Sequence, residues 1–115
     1  MLLKEWKDYG VTINSDEDFV EDNYPTDTAI AVILLWPATD YTNLFDFIKS
    51  IWWAADWGWH EGLDSDGNNV IQISTGGWSG NEDLIRAMMD NHMFWILHWM
   101  ESRRGGHYKF DAPKQ

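Results

Sequence analysis

The chain has 115 residues, no cysteine and a formal net charge of −11, from 19 acidic and 8 basic side chains. Its length predicts one domain that spans residues 1–115, and its 44% hydrophobic content excludes wholesale disorder. The absence of cysteine excludes a disulfide framework, a thiolate zinc site and a cysteine nucleophile. The longest apolar run, 29–37, is too short to span a bilayer, and no signal peptide is recognisable. We therefore expect a cytoplasmic protein that does not bind membranes.

Charge is distributed unevenly along the chain. Residues 1–85 hold 16 of the 19 acidic side chains and three of the eight basic ones, whereas residues 86–115 hold three acidic and five basic side chains. A balance this acidic argues against direct binding to nucleic acid or to an anionic membrane. It leaves room for one local basic site near the end of the chain.

Tryptophan is unusually frequent, with nine in the chain. Large aromatic residues at helical spacing are usually core, and we interpret Trp52, Trp53, Trp95 and Trp99 in this way. A single small core rarely needs nine tryptophans, so we expect some of the others to face a ligand or a partner.

The N-terminal half is predicted to be helical. Residues 1–10 resemble a short helix, and an apolar run at 28–36 ends before Pro37. Periodicity alone does not tell a buried helix from a buried strand there, but the alanines and leucines of the run favour a helix. Thr26 or Asp27 can cap it.

A second helix is predicted to begin after Asp40. Apolar residues follow i, i+3, i+4, i+7 spacing over 41–55, and Gly58 marks the end of this helix. Two helices around a proline suggest a helix-turn-helix, but Lys49 is the only cation of the second helix. We therefore do not expect it to read DNA.

The C-terminal half is predicted to be β-β-α-β. Strands at 57–63 and 69–75 flank a turn-rich segment that begins like a calcium loop but lacks the glutamate that would close it. A long helix is predicted from 79 to 102, with His92 as a hydrogen-bonded core residue on its apolar face, and a last strand at 107–110. The predicted fold class is α+β, with a small antiparallel sheet and one long helix.

A glycine-rich segment between the second strand and the long helix is the first candidate site. Backbone N–H groups and the dipole at a helix N-terminus favour an anion, and glycines permit close approach. A plain tight turn capped by Ser79 or Asn81 is the simpler interpretation, since no lysine follows as in a phosphate loop. The candidate ligand-binding residues here are Thr75, Gly76, Gly77, Trp78, Ser79 and Asn81.

Arg103 and Arg104, followed by His107, form the second candidate site. Arginines at a helix C-terminus complement its dipole, but a guanidinium group also matches phosphate and carboxylate. A continuous helix of about 20 residues would place these arginines roughly 30 Å from the glycine turn. A single site using both would then need a dimer or loops that fold back.

No set of residues points to catalysis. The four histidines are scattered, no serine lies in a nucleophile elbow, and a general acid–base site built around His60 and Glu61 has nothing to specify it. We therefore favour a non-catalytic protein without a metal or cofactor, and leave the enzyme alternative open.

Residues 73–82, 93–95 and 102–110, which contain TGGWSGNE and SRRGGHY, resemble a family of small uncharacterised bacteriophage and prophage proteins. The resemblance covers about the last third of the chain. It implies a phage accessory protein that acts in the bacterial cytoplasm, and it transfers no catalytic role.

Two functions follow as hypotheses. The first is binding of a small anionic ligand, such as a nucleotide signal of host defence, through the glycine turn and the arginines. The second is an acidic inhibitor that binds a host defence protein by protein contact or nucleic-acid mimicry. Either function is compatible with a homo-oligomer. The partner-binding residues of the second hypothesis are Asp16, Glu17, Asp18, Glu21 and Asp22.

Overall fold

A computed structural model describes residues 19–113, and their fold is α+β with a four-stranded antiparallel sheet, which confirms the predicted class. The helices are α1 (Asp27–Leu35), α2 (Tyr41–Ile51), α3 (Ala55–Gly58), α4 (Ser79–Asp90) and α5 (His92–His98), with a 3-10 turn at Ala38–Asp40. The strands are β1 (Val20–Glu21), β2 (Tyr24–Pro25), β3 (Trp59–Leu63), β4 (Asn69–Ser74), β5 (Trp99–Arg103) and β6 (His107–Asp111). The helix predicted at 1–10 lies outside the described residues.

Helix α1 follows the sequence prediction closely. The hydroxyl of Thr26 accepts a hydrogen bond from the Ala29 backbone N–H at 3.2 Å, which makes Thr26 the N-cap. Ala29, Val32 and Ile33 are buried in the core. The helix ends at Leu35, before Pro37, because proline disfavours helical backbone in the residue that precedes it.

Helix α2 is shorter than predicted and ends at Ile51. The buried side chain of Asn81 accepts from the Trp53 N–H and donates to the Trp53 carbonyl, both at 2.9 Å. These bonds take the peptide groups that a longer helix would use, and Ala54 then adopts a left-handed φ of 59°. The prediction of a helix through residue 55 was therefore wrong.

The predicted long helix was also wrong, because the chain forms two helices and a strand there. Asn91 separates α4 from α5, and its amide donates to the carbonyl of Ile33 at 2.9 Å. Its Oδ1 accepts from the Phe94 N–H at 3.4 Å, so the same side chain caps α5. Residues 99–103 then form β5, and His92 is exposed rather than part of the core.

The four strands lie in the order β3-β4-β6-β5, and every neighbouring pair is antiparallel. Opposing residues of such pairs share a face, so the register defines an inner and an outer side. On the inner side Ile71, Ile73 and Phe110 are buried, and Phe110 packs against Phe45 of α2 and Phe94 of α5. The outer side carries mainly polar side chains.

Of the tryptophans predicted as core, Trp52 is buried and Trp95 is half-buried, whereas Trp53 and Trp99 are exposed. Across residues 19–113 there is no helix with the length and apolar character needed to cross a membrane.

Candidate functional site

The β5–β6 hairpin brings Arg103 to the same end of the sheet as the glycine turn. Arg103 lies opposite His107 on β6, and His107 lies opposite Ser74 on β4. Neighbouring strands are about 4.8 Å apart, so the Arg103 backbone is about 10 Å from that of Ser74. The expected 30 Å separation was wrong, because it assumed a continuous helix where the chain folds back as a strand.

A cleft of about 310 Å³ lies on the outer side of the sheet at this end. Two rows of side chains line it. One row consists of Ser74, His107 and Arg103, which occupy opposing positions on three strands. The next row on the same face consists of His60, Gln72, Lys109 and Glu101. Among the residues predicted for ligand binding, Arg103 and His107 line this cleft.

Ser74 and His107 form the shortest polar contact of the cleft, with 2.7 Å between Ser74 Oγ and His107 Nδ1. The tautomer of the imidazole decides which group donates. A serine–histidine pair is the start of a nucleophilic site, but such a site also needs a group that orients the imidazole. Within residues 19–113, no hydrogen bond to the other ring nitrogen of His107 is present. Either group of the pair can also form a hydrogen bond with a polar group that enters the cleft.

Two cations of the cleft are already paired with carboxylates. Arg103 donates from Nε and Nη2 to both carboxylate oxygens of Glu101, at 3.2 and 3.4 Å. Lys109 Nζ donates to Asp64 Oδ2 at 2.9 Å. The side chain of Asp64 is 5% exposed and that of Lys109 is 20% exposed.

The Lys109 hydrogen bond lowers the pKa of Asp64 to about 2, and the Asn68 backbone N–H adds to this effect. Asp64 Oδ1 also accepts from the Asp66 N–H at 2.9 Å, which closes the loop between β3 and β4. The carboxylate is thus committed to a lysine and to two backbone N–H groups. No cluster of three metal-ligating side chains occurs in the part of the chain that the structure describes.

Arg104 is the cation near the cleft that has no salt bridge within residues 19–113. It is exposed in the turn between β5 and β6, next to Gly105 and Gly106. Arg104 does not line the cleft, but it directly follows Arg103 in the chain.

Two backbone N–H groups of the glycine turn form hydrogen bonds within the turn itself. Gly76 and Gly77 have φ values of 65° and 75°, which suit glycine. The Trp78 N–H donates to the Thr75 carbonyl at 3.1 Å, and the Gly77 N–H donates to the Thr75 hydroxyl at 3.3 Å. The turn therefore positions neighbouring groups, and these two N–H groups do not point at a ligand.

Two other predicted ligand-binding residues are structural. Thr75 is buried, and its N–H donates to the Gly106 carbonyl at 2.9 Å, which joins the glycine turn to the β5–β6 hairpin. Asn81 is buried, and its amide bonds the backbone of Trp53 and Thr75. Neither Ser79 nor Asn81 caps α4, since Trp78 holds the N-cap position without a side-chain bond, so that prediction was wrong.

Exposed aromatic rings lie beside the turn. Trp78 is held by Trp53 and Tyr24, at 5.0 and 4.9 Å between ring centroids, and its Nε1 donates to the Asn23 carbonyl. Trp57 is 60% exposed and sits against Gly76, where a Cβ would lie 3.3 Å from the indole ring. The tryptophan with an open face beside this turn is therefore Trp57, which the sequence did not single out.

Trp57 is also connected to the cleft, because its carbonyl lies 2.9 Å from Nε2 of the cleft residue His60. The ligand-binding residues predicted from the sequence do not include the other polar residues of the cleft, which are His60, Gln72, Ser74, Glu101 and Lys109. Alternation along each strand signals which of these residues share a face, but only the pairing register places the rows side by side.

The acidic segment of the alternative hypothesis is described only in part. Glu21 and Asp22 are exposed in the hairpin of β1 and β2, where Asp22 has a φ of 52°. Asp16, Glu17 and Asp18 lie outside the described residues. The acidic-inhibitor hypothesis therefore stays a prediction.

Comparison with protein-family models, curated proteins and solved structures finds no significant match to this chain.

Proposed function

We propose that the protein binds a small anionic ligand with a flat ring, of the nucleotide class, in the outer cleft of the sheet. One observation carries this proposal: the β5–β6 hairpin places Arg103 and His107 in register with Ser74, next to the glycine turn. Arginine, imidazole and hydroxyl groups then converge on one concave surface of a chain that is otherwise strongly acidic.

The anionic group of the ligand binds at the Arg103 end of the cleft. Arg104 supplies the uncompensated charge, and the Ser74–His107 pair supplies hydrogen bonds. A phosphate also competes with Glu101 for the guanidinium group of Arg103, which is 73% exposed.

The ring of the ligand stacks on Trp57. The Trp57 indole is 60% exposed and lies against Gly76, and stacking of a base on an aromatic side chain contributes about 1–3 kcal/mol. In the phage setting that the sequence resemblance implies, the protein would sequester a nucleotide signal of host defence in the bacterial cytoplasm.

The test is a thermal-shift and calorimetric titration of the full chain with mononucleotides, cyclic dinucleotides and inorganic phosphate. A nucleotide at a hundredfold excess over its Kd stabilises the protein by about 2.7 kcal/mol. Phosphate alone is expected to bind more weakly than a nucleotide, because it lacks the ring that stacks on Trp57.

Arg103→Ala should lower nucleotide affinity by about 1.5–3 kcal/mol, the scale of a charge-assisted hydrogen bond. Arg86→Ala is the matched control, because Arg86 is equally exposed, at 73%, and pairs with Asp83 on α4. Trp57→Phe should retain most of the affinity that Trp57→Ala loses. Equal affinity in Arg103→Ala and Arg86→Ala, or no response to any nucleotide, would refute the proposal.

A further inference from the structure

The outward side of α5 is apolar and uncovered by any of residues 19–113. Ile96 is 77% exposed, Met93 and Leu97 are each more than half exposed, and Met100 and Trp99 continue the surface onto β5. We call these five residues the α5 surface. Contiguous apolar patches on a protein surface mark interaction sites, and methionine adapts well to a partner.

Strand β5 forms an edge of the sheet next to this surface. Among the described residues β5 pairs with β6 alone, so the outer edge of Trp99–Arg103 offers unpaired backbone donors and acceptors. An open edge strand pairs readily with another strand. The extra residue of β5 lies between Trp99 and Glu101, which leaves Glu101–Arg103 regular.

The charged side chains on this edge can pair with the same side chains of a second copy of the chain. Glu101 and Arg103 share the outer face two residues apart, and they bond each other within the strand. In an antiparallel pair of two β5 strands related by a two-fold axis at Ser102, Glu101 of each copy lies opposite Arg103 of the other. Opposite charges at such positions stabilise a pair of strands.

The surrounding charge also permits two acidic chains to meet here. Residues 86–115, which contain α5 and β5, hold five basic and three acidic side chains, whereas the excess acidic charge lies in residues 1–85. The segment that forms the proposed contact therefore does not itself carry the excess of acidic side chains.

We propose that two copies of the chain associate through β5 and the α5 surface. The two four-stranded sheets then form one continuous sheet, and a two-fold axis perpendicular to it puts both outer clefts on the same face. Arg103 and Glu101 of the two copies meet at the axis, so the clefts adjoin. This association does not depend on the proposed ligand.

The first test measures the mass of the full chain by light scattering and sedimentation, without ligand. We expect twice the 13.5 kDa of one chain. Ile96→Glu should raise the dimer dissociation constant at least about tenfold, because it would bury a charge in the contact. Leu63→Glu is the matched control, since Leu63 is 71% exposed on the opposite edge strand, β3.

The second test exchanges charges at the predicted axis. Arg103→Glu places like charges opposite each other and should weaken association, and adding Glu101→Arg in the same chain should restore it. A monomer at high concentration overturns the proposal, as does a dimer that resists both Ile96→Glu and Arg103→Glu. If the wild type is a monomer and Ile96→Glu still lowers its melting temperature, the chain's own residues cover the α5 surface, which also overturns the proposal.

Discussion

The two faces of the four-stranded sheet differ in whether packing against the core determines their residues. On the inner face Ile71, Ile73 and Phe110 are buried against the helices, so their apolar character fixes which side faces the core. On the outer face the polar row from His60 to Glu101 meets no such requirement and is exposed or half-buried, whereas Val70, outside that row, is buried. Residues that are polar without being needed for packing are the ones available to bind a ligand.

The largest expected effect comes from the inner face. Phe110→Ala should lower the free energy of unfolding by about 3–5 kcal/mol, because it leaves a cavity among Phe45, Phe94 and Trp95. Gln72→Ala, one residue from Ile73 but on the outer face, should change it by no more than about 0.5 kcal/mol. Urea unfolding of both variants measures the difference. Similar losses in the two variants would mean that the outer face is packed as well.

Two glycines at the end of the sheet differ in how much space surrounds them. Gly106 and Gly77 both have a positive φ, of 78° and 75°. A Cβ at Gly106 would collide with the Thr75 hydroxyl, whereas a Cβ at Gly77 meets nothing within 4 Å. Gly77→Ala should therefore cost only about 1–2 kcal/mol of backbone strain, and Gly106→Ala should cost more. A lower melting temperature for Gly77→Ala than for Gly106→Ala would contradict the importance of the contact between Gly106 and Thr75.

The sequence was sufficient for α1, for the fold class and for the β3–β4 hairpin, except that residues 57 and 58, predicted as strand, belong to α3. The caps, turns and apolar patterns of these elements are local. The sequence failed between 79 and 103, where the apolar spacing continues past Asn91. The break there depends on the Asn91 amide reaching the carbonyl of Ile33, 58 residues earlier in the chain. The early end of α2 has a similar cause, since Asn81 binds the Trp53 backbone. Long-range hydrogen bonds of this kind leave no periodic signal.

The same reason explains how much of the candidate site could be predicted. Arg103 and His107 stand out because of their chemistry, but their contact with Ser74 depends on the register of β6 between β4 and β5. Asn81 and Thr75 look like ligand-binding residues in the sequence, and the structure uses them to join segments. Polar side chains in a glycine-rich turn are thus ambiguous until their hydrogen-bond partners are known.

The smallest expected effect concerns pH and the outer face. The pKa of Asp64 is lowered to about 2 in the folded protein, from an ordinary value of 3.8. The folded state therefore binds this proton less readily than the unfolded chain does. The contribution of Asp64 to stability is complete above about pH 4 and is lost as the pH falls through about 2. The difference in unfolding free energy between the wild type and Asp64→Asn should shrink across that interval.

Lys109→Met separates the effect of the Lys109 hydrogen bond on the pKa of Asp64 from the effect of the loop's backbone N–H groups. The Lys109 hydrogen bond is the largest cause of the lowered pKa, so its removal should raise the pKa of Asp64 toward its ordinary value. Carbon-detected NMR titration of the Asp64 carboxyl group measures this directly. An unchanged titration midpoint in Lys109→Met would assign the effect to the Asn68 and Asp66 N–H groups instead. The outer face would then hold its loop through backbone bonds, and Lys109 would be left available to a ligand.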